Sequence, residues 1–272
     1  MSVPHCWHHD LLQWSKAATQ CVQLELGVSL SFRIWLEQLR DIRGARPLWP
    51  VLLGAALDAE FQRQRQIDEG YKGEVFKNRD KHLLDDGERE ERLVARLYRS
   101  ALDSDGCVQL KGESIWLLGF QWPTQGSASE KSRRADLVGI TSGGGLVVFE
   151  AKRSNGDPPL IAIAEGLDYL SCLMRVQNFN KIVAGFQKWK GTRSFPIPKG
   201  FEETVPNAGV RPSLVVLAPE AYFQGRHTRG IRGKDWPHLA AVGDSIIPSV
   251  RLAFAATDFK STRLWNPQKP TD

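Results

Sequence analysis

Period-2 alternation is clearest from Arg134 to Ile140. There Asp136, Val138 and Ile140 alternate with Ala135, Leu137 and Gly139, as the two faces of a strand require. Ser142, Gly143, Gly144 and Gly145 follow with turn chemistry, and Leu146 to Phe149 is a second run of β-formers. The stretch RADLVGITSGGGLVVFEAKR therefore predicts two strands joined by a tight turn. Before it, EREERLVARLYRSAL (88–102) sets Leu93, Val94, Leu97, Tyr98 and Ala101 on one helical stripe. Its first turn is acidic, where the helix dipole favours negative charge, and Asp103 to Gly106 end it. Within 107–122 the run SIWLLGFQW, bounded by Gly112 and Pro123, predicts one strand.

After the hairpin, Pro158 and Pro159 are placed to start a helix, and LIAIAEGLDYLSCLMRVQN carries Leu160, Ile163, Leu167 and Leu170 as its main stripe. Gly166 weakens this helix, since Gly costs about 1 kcal/mol against Ala. Residues 179–211 are rich in Lys, Trp, Gly and Pro and read as irregular. PSLVVLAPEAYF predicts a buried strand, QGRHTRGIRGKDW a basic loop, RLAFAATDF a last strand, and STRLWNPQKPTD a loose tail. Residues 1–85 read as mainly helical, with SLSFRIWLEQL and VLLGAALDAEFQRQRQIDE as helices and no strand signal. This order predicts an α/β fold: a mixed central sheet flanked by helices over 86–265, an N-terminal helical region over 1–85, and a loose tail at 266–272.

Composition narrows the class without naming an activity. A hydrophobic content of 42% and a charged content of 25% are ordinary for a soluble globular chain. No apolar run approaches the ~20 residues of a membrane helix. The start MSVPHCWHHDLLQW has no basic segment followed by an apolar one, so no secretory signal is expected. Cys6, Cys21, Cys107 and Cys172 are widely spread, which suits reduced thiols and a cytoplasmic protein. A net charge of +5 permits a polyanionic partner without requiring one.

The candidate chemistry sits at the hairpin. Glu150 and Lys152 project from one face of their strand, and Asp136 opens the partner strand. Two carboxylates with a nearby ammonium suit a hard divalent cation and an activated water. The competing reading is a structural ion cluster. A carboxylate beside buried strands must be paired or liganding, which either reading satisfies. Arg226, His227, Arg229, Arg232 and Lys234, interleaved with Gly, suit phosphate contact, or else form a solvated basic loop. Lys188, Trp189, Lys190 and Arg193 offer a stacking Trp between cations, against a Trp packed on the fold. Cys6, His8, His9 and Cys21 match no compact zinc spacing. Gly143 to Gly145 precede a strand and so form no phosphate-binding loop.

RADLVGI, LVVFEAKR and a following helix bearing AIAEGLDYL resemble the core of the PD-(D/E)XK nuclease superfamily, over about residues 86–220. The resemblance implies a restriction-endonuclease-like fold. Asp136 matches the first acid of the motif, Glu150 the second and Lys152 its lysine, while Ala135 stands where the motif has proline. It further implies Mg²⁺ or Mn²⁺ held by Asp136, Glu150 and the backbone carbonyl of Ala151. Glu90, with Glu88 and Glu91 as close rivals, matches an acid on the first helix, although a first-turn acid supporting the dipole explains it equally. Glu165, ahead of Tyr169, stands where many members carry Gln. The expected activity is endonucleolytic hydrolysis of DNA, with restriction, phage defence and repair all compatible roles and a homodimer suited to cutting both strands. The alternatives are an RNA-directed nuclease and a non-catalytic nucleic-acid-binding or scaffold protein on the same fold.

Overall fold

The computed structural model describes residues 49–67, 76, 90–124, 134–156, 159–192, 196–224 and 247–268. The segment SLSFRIWLEQL, the group Cys6, His8, His9 and Cys21, and the basic loop from Arg226 to Lys234 lie outside them.

The elements are α1 (Trp49–Arg65), α2 (Glu90–Leu102), β1 (Cys107–Leu110), β2 (Glu113–Pro123), β3 (Arg134–Thr141) and β4 (Leu146–Ala151). After these come α3 (Pro159–Leu173), α4 (Val176–Thr192), β5 (Ser213–Ala218), α5 (Glu220–Phe223), β6 (Arg251–Ala256) and β7 (Arg263–Leu264). The strands form one seven-stranded mixed sheet in the order β6-β5-β4-β3-β2-β1-β7. From β1 to β4 it is an antiparallel meander; β4, β5 and β6 run parallel. Strand β4 is therefore an interior strand, third from the β6 edge, where the pairing changes from antiparallel to parallel. The chain is thus α/β with a mixed sheet covered by helices, as the order of apolar patterns predicts.

Helices cover both faces. On one, Ile163, Leu167 and Leu170 of α3, Phe179, Ile182 and Phe186 of α4, and Leu57 and Phe61 of α1 join Val138, Ile140, Leu146, Val148, Leu214 and Val216 of the sheet. On the other, Val94, Leu97, Tyr98 and Ala101 of α2 pack with Leu137, Val147, Phe149, Val215 and Leu217. Alternate residues of the same strands feed the two cores, so β3, β4 and β5 are buried along nearly their whole length.

Four expectations need correction. Residues 107–122 hold two strands: CVQL pairs back onto β2 through Lys111 and Gly112, both in the left-handed region (φ +52 and +81), as a two-residue hairpin turn requires. The segment after 179 is not irregular throughout, since α4 runs to Thr192 with Phe179, Ile182 and Phe186 at helical spacing on its buried side. The run after the PSLVVLA strand turns into the short helix α5. The tail is tied down at its start: β7 pairs parallel with β1, and Trp265 exchanges two backbone hydrogen bonds with Ala256. Trp189 packs against Phe76, Trp116 and Phe186, and the Lys190 ammonium donates to the carbonyls of Phe201, Glu202 and Thr204. That pair is engaged in packing and loop bracing, not displayed for stacking.

Two glycines explain local geometry. Gly144 closes the β3–β4 turn at φ +87, and a Cβ there would lie 2.3 Å from the carbonyl oxygen of Val205. Gly166 sits mid-helix because α3 crosses β5 closely; a Cβ there would lie 2.3 Å from Leu214 Cδ1. Its helix-propensity cost is therefore offset by contact. We expect Gly166→Ala to destabilise the fold by roughly 1–3 kcal/mol through overpacking, although propensity alone favours Ala by about 1 kcal/mol. Urea unfolding of the two proteins decides between these terms, and a more stable variant would mean that the helix moves freely over β5.

Candidate active site

The hairpin brings the predicted triad together. Asp136 and Val138 share a strand face, as do Glu150, Val148 and Leu146, and this is the face that α3 covers. The last ladder pair toward the open end is Leu137 with Phe149. One more step would set Asp136 opposite Glu150. Instead the strands part, and the Asp136 side chain takes over the backbone's role: its Oδ2 accepts the Ala151 N–H at 2.8 Å. Its Oδ1 accepts a side-chain amide N–H of Gln121 at 2.9 Å. Lys152 lies just past β4, where its N–H donates to the carbonyl of Leu217, so β5 fixes the backbone that carries it.

All three groups are buried: Asp136 is 8% exposed, Glu150 4% and Lys152 5%. The Lys152 ammonium donates to Glu150 Oε1 and to Glu165 Oε2, each at 2.7 Å. Glu165 comes from α3 and is the residue through which that helix reaches the site. Glu90, in the first turn of α2, accepts the backbone N–H of Arg153 at 3.2 Å. The end of the helix on the opposite face is thereby drawn to the same strand terminus. Gln121 escaped the sequence reading. Its signal was a lone polar residue inside the apolar run WLLGFQW.

Electrostatics follow from burial. Desolvation raises the Asp136 carboxyl from its ordinary 3.8 to about 7, against the pull of Lys152 and the Ala151 N–H and with help from Glu90 and Glu165. Burial likewise pushes Glu150 well up, despite Lys152, with Asp136 and Glu165 adding to the shift. Burial opposes the charge on Lys152, but Glu150, Glu165, Glu90 and Asp136 together outweigh it and hold the ammonium well above its usual range. The Tyr169 hydroxyl, one helical turn after Glu165, is pushed up by burial and by Glu150, Glu165 and Asp136.

Among the described residues, no three His, Cys, Asp or Glu side chains gather closely enough to hold a metal ion by themselves. A Mg²⁺ site needs fewer, because that ion is commonly bound through one or two carboxylates and keeps water or substrate oxygens for the rest. The donor set here is hard oxygen. Glu150 Oε2 is buried without a hydrogen-bond partner, a state that ordinarily costs free energy. These residues fit such an ion chemically. No described helix is long and apolar enough to cross a membrane. No protein family, no characterised protein and no solved structure matches the chain.

The Asp136 shift has a definite sign in stability. Between pH 3.8 and about 7 the unfolded chain has lost this proton while the fold retains it. Folding binds protons in that window, so stability is full at low pH and falls as pH rises through the folded value. The whole difference is worth roughly 4 kcal/mol at most. The metal-free protein should melt lower at pH 8 than at pH 5, and Asp136→Asn should flatten the difference. Parallel pH profiles of melting temperature for the two proteins would refute this assignment.

Proposed function

We propose that the chain is a metal-dependent nuclease of the PD-(D/E)XK kind, with a restriction-endonuclease-like core, that hydrolyses DNA phosphodiester bonds internally. One observation carries the reading: Asp136, Glu150 and Lys152, the residues that match the motif, converge as buried groups at the open end of the central hairpin, with one Glu150 oxygen unsatisfied. The α2, β2–β4, α3, β5 succession is compatible with that core.

In this reading Asp136 and Glu150 would hold Mg²⁺ or Mn²⁺ together with the Ala151 carbonyl, with Glu90 as an accessory acid. The bound ion would lower the pKa of a water and offset charge on the scissile phosphate. Lys152, kept cationic by the surrounding carboxylates, would orient an attacking water or steady the charge that develops on the phosphate oxygens. Glu165 holds Lys152 from the helix side at 2.7 Å, so the ammonium is aimed by two carboxylates. Arg226, His227, Arg229, Arg232 and Lys234 are assigned to phosphate contact.

The second reading, a nucleic-acid-binding or scaffold protein without catalysis, draws on the same ion pairs: an ammonium closed between two carboxylates is also a sound structural cluster. Plasmid nicking with Mg²⁺, with and without EDTA, separates the two, and a panel of DNA and RNA substrates tests the RNA-directed alternative. Lys152→Met should lower the cleavage rate at least about 100-fold while the far-ultraviolet circular dichroism stays that of the wild type; full activity in this variant would overturn the role given to Lys152. Charge reversal at Arg229 and Arg232 should flatten the salt dependence of DNA binding by about one unit of log–log slope for each lost phosphate contact. An unchanged slope would remove the loop from the interface.

A further inference from the structure

Gln121 breaks the strand it belongs to. It lies inside β2 with φ +47, in the left-handed region that costs a non-glycine residue energy. Residues two apart on an extended strand share a face, yet Phe120 packs in the α2-side core and Trp122 in the α3-side core. The ladder pairs Phe120 with Leu137 and Trp122 with Ala135, which sets Gln121 opposite Asp136. There its amide donates to Asp136 Oδ1 at 2.9 Å, while the Ala151 N–H holds Oδ2 at 2.8 Å. With a donor on each oxygen the carboxylate plane is fixed, and each oxygen keeps a lone pair for another partner.

Two contacts bear on the strain. One is Trp122, which the kink turns into the core against Phe76, with ring centroids 5.0 Å apart. The other is the Asp136 carboxylate. The backbone bend alone serves Trp122, and glycine would make that bend without strain. A glutamine there adds a strain cost, and its side chain makes the bond to Asp136 that a glycine would lack.

We propose that Gln121 is a positioning residue: its amide holds the Asp136 carboxylate in the orientation from which it binds a divalent cation. The inference rests on the metal-dependent reading above. Hydrogen-bond partners of metal-ligating carboxylates typically contribute about 10–100-fold in affinity, and Gln121 is assigned that place here.

The test is Mn²⁺ binding by the full chain, followed through the electron paramagnetic resonance of the unbound ion, beside thermal melting and Mg²⁺-dependent plasmid cleavage. Gln121→Gly keeps the bend and removes the amide. It should melt at or above the wild-type temperature and bind Mn²⁺ about 10–100-fold more weakly. The Mg²⁺ concentration for half-maximal cleavage should rise by a similar factor. Gln121→Met, which keeps length but not the donor, should weaken Mn²⁺ in the same way and serves if the glycine variant does not fold. Unchanged Mn²⁺ binding in either folded variant overturns the inference. A wild-type chain that neither binds Mn²⁺ nor cuts DNA overturns the metal-dependent reading itself, and this inference with it.

Discussion

An ammonium that is only 5% exposed stays charged in a protein only if carboxylates lie against it. Lys152 meets this condition from two directions, and much of the architecture follows. Glu150 is two residues earlier on the same strand face, so β4 supplies it by alternation alone. Glu165 must come from a separate helix, and it can do so only if α3 lies low on the sheet. The next residue, Gly166, is where α3 presses on Leu214, with room for a hydrogen and not for a methyl group. The packing of the helix and the pairing of the lysine are thus one arrangement seen at two neighbouring residues.

The place of β4 in the sheet makes this end of the molecule available for chemistry. To one side it pairs antiparallel with β3, and to the other parallel with β5. The ladder toward β3 stops at Phe149, while the ladder toward β5 continues through Ala151 and one further bond from Lys152. The strand end is therefore held firmly on one side and opened on the other, where Asp136 enters.

Alternation made the hairpin legible, because β3 and β4 obey period 2 through to Asp136 and Glu150. The α2 stripe was legible for the same reason at period 3.6. The failures have separate causes. β1 is four residues long and followed by Lys111 in a conformation that sequence gives little reason to expect. α4 hides its buried stripe of Phe179, Ile182 and Phe186 among Lys, Gln and Gly. β7 is two residues long and paired with a strand far earlier in the chain. At the site, Asp136, Glu150 and Lys152 were readable as a set. Glu165 was readable only as a helix acid ahead of Tyr169. Gln121 was invisible, because a register shift between Leu117 and Gly119 and its own left-handed backbone both break the alternation that would have assigned it a face.

The charge balance of the site gives its burial a chemical meaning. Four carboxylates, those of Asp136, Glu150, Glu165 and Glu90, act on one ammonium. For the two that are buried deepest, Asp136 and Glu150, desolvation outweighs the pull of Lys152 and drives the carboxyls upward. Bound protons offset part of that cost near neutral pH. Glu150 Oε2, buried and unsatisfied, marks where this shortage of positive charge is least compensated by the protein. The two carboxyls buried deepest at this strand end, Asp136 from β3 and Glu150 from β4, therefore carry a desolvation cost that protonation offsets and that Lys152 alone does not cancel.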